Sequence, residues 1–232
     1  PEKFVRGIYR TGLADNLRIP LVGASPARIR MPKKSERGEW TNWSHTALPW
    51  MSIGYETQVP PISTLTFYNA IANGGVMVKP RMIKEVKEWN KTVEKFNVEI
   101  INGKICSKQT ADRAKGLLAN VVERSYGSGH RLHSPDFSMA GKTGTARKNY
   151  ASADKSKLSY ISSFAGFFPV DNPKYSCIVV IHEPDKSVGF YGADVSGPVF
   201  KSIAQKIYTN SLLIDTIEDI ETSTAEVNKD YG

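Results

Sequence analysis

The stretch Ala140-Gly141-Lys142-Thr143-Gly144-Thr145-Ala146 follows a β-compatible lead-in, Phe137 to Met139, and its reading organises the rest of the chain. Lys142 offers a positive charge. Thr143 and Thr145 stand two residues apart, so their hydroxyls share one side of a strand. Gly144 between them carries no side chain, which lets another backbone or a ligand come close. A strand with these properties suits an extended, anionic, peptide-like ligand laid along a sheet edge. Backbone pairing would add the ligand as an extra strand, and the hydroxyls and lysine would hold its carboxylate. The same residues also fit a plain edge strand ending in a solvated lysine, and Lys-Thr-Gly recurs by chance. The surrounding pattern therefore has to decide.

The chain has 232 residues, 40% hydrophobic and 10% aromatic, enough for a sizeable core in one large domain or two small ones. Its formal charge of +8 is unevenly spread, because residues 211–232 hold six acidic residues against one lysine. The basic body shows no aromatic-basic stripe and no zinc spacing, so nucleic acid is not an expected partner. It suits an anionic small substrate or a polyanionic polymer. Two distant cysteines, Cys106 and Cys177, make neither a metal motif nor a disulfide framework. No apolar run is long enough to span a membrane and no signal peptide is visible. The start at Pro1 rather than a methionine points to a processed or excised piece.

Outward from the lysine strand, apolar spacing predicts a helix over Glu2 to Leu13 and an irregular loop over Asp15 to Pro49. Trp40, Trp43 and Trp50 are either pocket walls or anchors that pin this loop. Pro60-Pro61 opens a second helix, with Ile62, Leu65, Asn69 and Ala72 at helical spacing, Phe67, Ala70 and Ile71 broadening the buried face, and Asn73-Gly74-Gly75 as its stop. Being apolar around much of its circumference, that helix should be buried. Val76 to Val86 and Val93 to Ile101 read as a strand–turn–strand excursion. Ser107 caps a helix striped by Ala111, Ala114, Leu117, Leu118, Val121 and Val122, which frays at Gly127-Ser128-Gly129. His130 and His133 have no third ligand at a typical spacing, so no metal is expected there. Tyr160 to Val170 and Tyr175 to Glu183 read as strands joined by the turn Asp171-Asn172-Pro173-Lys174. The continuous apolar run Cys177 to Ile181 argues for a strand covered on both faces. Ser196-Gly197-Pro198 opens a last helix with Val199, Phe200, Ile203, Ile207 and Tyr208 on one stripe. The acidic end is expected to be partly disordered.

Four separated motifs stand in a telling order. Met51-Ser52-Ile53-Gly54-Tyr55 precedes the proline-opened helix that ends Ile71-Ala72-Asn73-Gly74-Gly75. After it come Ala140 to Ala146, then Phe164-Ala165-Gly166-Phe167-Phe168-Pro169, then Tyr191-Gly192-Ala193 leading to Gly197-Pro198-Val199-Phe200. Over residues 1–210 this resembles the C-terminal part of the transpeptidase domain of a class B penicillin-binding protein, of the division or elongation type.

The resemblance implies an α+β fold, the penicillin-binding/β-lactamase-like transpeptidase fold. Its antiparallel sheet would receive three strands from this chain, be flanked by helices, and be incomplete without an upstream segment. The implied division is a transpeptidase portion over 1–210 and an acidic tail over 211–232. The family works through Ser-x-x-Lys, Ser-x-Asn and Lys-Thr/Ser-Gly, with the first serine as nucleophile. Only the third motif is in place. Ser-x-Asn is absent from the sequence, and the one Ser-x-x-Lys, Ser152 to Lys155, falls in a polar loop and reads as a chance match. By resemblance Lys142 supports a serine and the substrate carboxylate, Thr143 and Thr145 bind that carboxylate, Gly144 keeps the edge open, and the Thr145 N–H supplies half an oxyanion hole. No cofactor or metal is implied. The implied partners are peptidoglycan stem peptides, β-lactams, the upstream segment of the same domain, and cell-division or elongation proteins. The implied location is the periplasmic face of the bacterial inner membrane, with an anchor outside this chain. The chain alone should be inactive. The competing reading is a non-catalytic penicillin-binding scaffold or sensor.

Overall fold

The computed structural model describes residues 1–149, 152–154 and 157–210. Its centre is an antiparallel sheet of three strands, β7 (Ala140–Lys148), β8 (Ser159–Phe168) and β9 (Tyr175–His182), in that spatial order. The register pairs Lys142 with Ala165, Gly144 with Ser163 and Arg147 with Tyr160 on one side, and Phe164 with Val179 on the other. β8 is the best-covered strand, with Phe164, Phe167 and Phe168 all nearly inaccessible. Aromatic residues suit this pleated surface, since their flat side chains stack across strands and fill both layers.

Each sheet face has its own helical cover. On one side lies α5, residues 196–210. Its Phe200 and Ala204 pack with Phe164, Phe168, Leu132, Phe137 and Met139, and Phe200 meets Phe164 edge-on at 4.8 Å. On the other side lie α3 (Pro61–Ala72) and α4 (Lys108–Glu123). Here Ile71, Ala140 and Phe167 form the centre, with Phe67, Ala114 and Leu118 around them. Pro61 sits in the first turn of α3, where its missing N–H costs nothing. Ser107 caps α4 by accepting the Thr110 N–H at 3.1 Å.

A second, smaller core belongs to the N-terminal part. α1 (Glu2–Arg10) buries Val5 against Ile29 and Met51, with Trp43 and Met31 beside them. β1 (Arg28–Ile29) pairs with β2 (Thr57–Gln58), and α2 (Ala47–Ser52) links them. The Asp15 to Pro49 stretch is thus tied down at several points. Trp43 serves as an anchor, stacked under the Arg30 guanidinium at 5.5 Å, and Trp40 lies under Lys34 at 4.7 Å. The expected excursion after α3 resolves into two small sheets, β3 (Met77–Val78) with β6 (Ile100–Asn102) and β4 (Glu85–Glu88) with β5 (Lys91–Lys95). Trp89 and Asn90 take the β4–β5 turn at φ 50 and 64, the sign a two-residue hairpin needs to match strand twist.

Two expectations are corrected. Ala70 and Ile71 of α3 are buried as expected, but the other fully buried positions are Ser63 and Thr66 rather than the Ile62–Leu65 stripe. Small residues let this helix approach β8 and β9 closely, and the Thr66 hydroxyl is satisfied internally by the Ile62 carbonyl at 2.8 Å. Leu117 of the α4 stripe is 69% exposed, because one residue of helical rotation takes it off the line of Ala111, Ala114 and Leu118. β9 is covered on both faces as expected, by α3 on one and α5 on the other, and is open at its edge. Ser176 to Ile181 are all half-buried, and among the described residues β9 is hydrogen-bonded as a strand to β8 alone. Its apolar run faces α5 through Cys177 and Val179, while burial pushes the Cys177 thiol pKa up. The acidic tail lies outside the described residues.

Gly116 sits on the exposed side of α4, and a Cβ there would meet nothing within 4 Å. Gly116→Ala is expected to stabilise the domain by about 0.5–1 kcal/mol, because alanine leaves less backbone freedom in the unfolded chain. Thermal melting should show the rise.

Candidate active site

β7 has two unlike edges. One pairs with β8; the direction of the other follows from the ladder. The Tyr160 carbonyl accepts from Glu183 of the β9 side, at 2.8 Å, so the Tyr160–Arg147 pair is a wide one and Arg147 turns its N–H and C=O away from β8. The Arg147 N–H is indeed met from outside, by the Tyr55 hydroxyl at 3.1 Å. By alternation, Thr143 and Thr145 also turn their N–H and C=O outwards. The Thr143 carbonyl takes the Lys142 ammonium at 2.8 Å on that edge. The outer edge of β7 is therefore a stretch of peptide groups centred on Thr143 and Thr145 and bounded at Arg147 by Tyr55.

The side chains of the two threonines occupy one face and are held from different parts of the chain. Thr145 Oγ1 accepts the Gly192 N–H at 3.1 Å. Its own proton is therefore directed away from that loop and can be donated. Thr143 Oγ1 lies 3.3 Å from the Lys142 Nζ and 3.3 Å from the Ser128 hydroxyl. Lys142 is exposed and folds back over its own strand. Lysine, two threonine hydroxyls and outward N–H groups converge on one short segment, which is chemistry for a carboxylate and for a developing oxyanion.

Glycines shape this segment from below. A Cβ on Gly144 would strike the Ser163 hydroxyl, so its bareness has an inward reason as well as an outward one. A Cβ on Gly192 would come within 2.8 Å of the Gly144 carbonyl oxygen and 3.0 Å of its nitrogen. The 189–195 loop can lie against β7 only with a glycine there. That loop is tied down further. The Ser162 hydroxyl donates to the Phe190 carbonyl, Phe190 stacks on Tyr160 at 4.1 Å, and Asp194 pairs with Arg131.

Tyr55, Ser128 and Gly192 were not singled out as site residues by the sequence reading. Tyr55 and Gly192 did lie inside motifs, and Gly127-Ser128-Gly129 is a built turn rather than a frayed end. Trp50 packs edge-on against Tyr55 at 5.0 Å and so stands behind a site residue, unlike Trp43. Ser152 caps its own turn by accepting the Asp154 N–H at 3.2 Å, and Lys155 lies outside the described residues. His130 and His133 are committed to α4: one ring Nδ1 donates to the Val122 carbonyl at 3.1 Å, the other lies 2.9 Å from Glu123. Among the described residues no cluster of histidine, cysteine and carboxylate side chains could hold a metal ion. At the far end of β7, Lys148 bonds Glu183 at 2.7 Å and holds that exposed carboxyl below its usual range.

Comparison with known proteins matches this arrangement. Residues 27–205 match the family described as the penicillin binding protein transpeptidase domain. The chain is 31% identical over 195 residues to the peptidoglycan D,D-transpeptidase FtsI of Buchnera aphidicola, covering 84% of this chain and 31% of that protein. It is 28% identical over 211 residues to the penicillin-binding protein PbpB of Mycolicibacterium smegmatis, covering 88% of this chain and 31% of that one. Penicillin binding protein 3 of Mycobacterium tuberculosis superposes with a TM-score of 0.72 at 28% identity, over 91% of this chain and 47% of that one. The same protein has been solved with aztreonam and with ampicillin. The chain spans about a third of the length of the curated relatives it matches. No helix among the described residues is long and apolar enough to cross a membrane. By the family match and by the mixed helical and antiparallel architecture, this chain belongs to the transpeptidase domain family of the penicillin-binding proteins.

Proposed function

We propose that residues 1–210 are the C-terminal portion of a serine D,D-transpeptidase domain that cross-links peptidoglycan stem peptides and is acylated by β-lactams. The observation that carries this reading is the outer edge of β7, where the Thr143 and Thr145 backbone, both hydroxyls and Lys142 face one way. A stem peptide would lie along that edge as an added strand. Thr143 and Thr145 would bind its terminal carboxylate, and Lys142 would supply the positive field and position a serine. The Thr145 N–H would stabilise the oxyanion as a serine oxygen adds to the penultimate D-alanine carbonyl. Terminal D-alanine would leave, and an amine of a second peptide would take the acyl group. β-Lactams would enter as imitations of the first peptide. Gly144 keeps the strand slim enough for this approach.

The nucleophile and the second motif would come from a segment upstream. That segment would also complete the sheet by pairing with β9, whose half-buried apolar run otherwise forms an exposed edge. Peptidoglycan chemistry places the protein on the outer face of the inner membrane, held by an anchor elsewhere in the protein, beside division or elongation partners. The second reading is a penicillin-binding scaffold or sensor without turnover.

Intact-mass measurement after incubation with a penicillin separates the two. This chain alone should gain no adduct. A mixture with its upstream half should gain one adduct, on the upstream half. No adduct on any form of the protein would favour the scaffold, and an adduct on this chain alone would place the nucleophile at Ser152.

A further inference from the structure

Gly127-Ser128-Gly129 is a clamp rather than a loose end. The Gly127 N–H donates to the Arg124 carbonyl at 2.8 Å, the Gly129 N–H to the Val121 carbonyl at 2.9 Å, and the His130 N–H to Gly127 at 3.0 Å. A Cβ on Gly127 would lie 2.5 Å from the Asn120 carbonyl oxygen, and closer still to that of Val121. Gly129 is itself buried against Val121. These bonds satisfy carbonyls at the end of α4 that a helix terminus leaves open. They also fold the turn back tightly enough to carry the residue between the glycines over β7. That residue is Ser128, exposed, with its hydroxyl 3.3 Å from Thr143 Oγ1.

Hydrogen-bond bookkeeping gives the hydroxyl a task. The Lys142 ammonium has only protons to offer, so Thr143 Oγ1 accepts from it. Thr143 then has its own proton to give. Ser128 can receive that proton when no ligand is present. When an anion arrives, Thr143 turns its proton to the anion, and Ser128 has a proton of its own to donate. A row of three hydroxyls, Ser128, Thr143 and Thr145, thus stands along the face where the carboxylate is placed by the reading above.

We propose that Ser128 is a specificity-determining residue of this site, a third hydroxyl donor that favours ligands carrying a free carboxylate. The proposal rests on the transpeptidase reading. A hydrogen bond to a charged group is among the stronger ones, and exposure to water lowers its worth, so the expected effect is about tenfold, equivalent to ~1.4 kcal/mol.

The test uses the full-length gene product and measures acylation rates by intact mass with benzylpenicillin and with its methyl ester, which lacks the negative charge. Ser128→Ala should lower the acid-to-ester rate ratio about tenfold, and Ser128→Thr, which keeps the hydroxyl, should restore it. A merely structural role for Ser128 would slow both compounds alike and leave the ratio in place. A ratio in Ser128→Ala within about twofold of the parent value, the spread of silent surface changes, overturns the proposal. Thr143→Val shows which idea has failed. If it lowers the ratio while Ser128→Ala does not, Ser128 alone is misassigned. If neither variant lowers it, or if the parent protein forms no acyl-enzyme, the assignment of the carboxylate to β7 falls as well.

Discussion

Lys142→Ala in the full-length protein is expected to cut the rate of penicillin acylation by about 10²–10³-fold, the loss typical of removing one group aimed at transition-state charge. Stability should barely move. Among the described residues the Lys142 ammonium bonds the Thr143 carbonyl and hydroxyl of its own strand, and the side chain is exposed, so no buried partner is lost there. Acylation kinetics and a melting curve on the same sample test both halves. A variant that melts like the parent and acylates at the parental rate would remove Lys142 from the chemistry. Lys142→Arg sharpens the point. It keeps the charge but replaces a compact ammonium by a wider planar fork, so it should recover only part of the rate.

The second large effect is one of packing. Gly166→Ala is expected to destabilise the domain by about 3 kcal/mol or more, at the severe end for overpacking, and to lower its melting temperature by roughly 6–12 °C. Gly166 faces Gly141 across the β7–β8 ladder. A Cβ at 166 would run into the Ala140 carbonyl oxygen and lie 2.8 Å from the Gly141 Cα. The same face is already closely filled, since the Phe164 ring lies over Gly141, where a Cβ would sit 2.5 Å from it. Backbone, not a flexible side chain, would have to move. Because β7 carries the proposed site, the displaced strand should also acylate more slowly. Urea titration against the parent gives the first number. An unchanged midpoint would mean that β7 and β8 are held more loosely than their register indicates. Gly116→Ala, the same chemical change in open space, is the opposite-signed control.

Much of this architecture was legible in the sequence because the signals were local. The three-strand sheet follows from β-branched and aromatic runs separated by the Asp171–Lys174 turn. The helix start at Pro61 follows from proline's missing N–H and that at Ser107 from capping chemistry, and the shared side of Thr143 and Thr145 follows from period-two spacing. What was not legible depends on contacts distant in sequence. The Tyr55 hydroxyl reaches Arg147 across 92 residues, the Gly192 N–H reaches Thr145 across 47, and Ser128 reaches Thr143 across 15. No periodicity encodes such meetings. Ser128 also lay between two glycines, and glycine is as much a mark of a loose end as of a tight turn. Only the carbonyls of Asn120 and Val121, pressed against Gly127, tell the two apart. The burial of α3 misled for a related reason: a hydrophobic side chain shows what can be buried, whereas Ser63 and Thr66 are buried because their small size lets a helix close on a sheet.

The wide sequence separation of the groups around Thr145 has a consequence for how the protein folds. Bringing distant segments together costs chain entropy before any contact repays it. The 189–195 loop reaches β7 beside α5 docking on Phe164 and Phe168, and the Tyr55 contact needs the N-terminal core as well. A site assembled from such distant segments is expected to form late, with the complete set of layers, and to be lost when any one of them opens. Covalent labelling by a penicillin would then report the fraction of molecules that are wholly folded. A substitution far from the strand, in α1 or under α5, would register in that signal as faithfully as one beside Lys142.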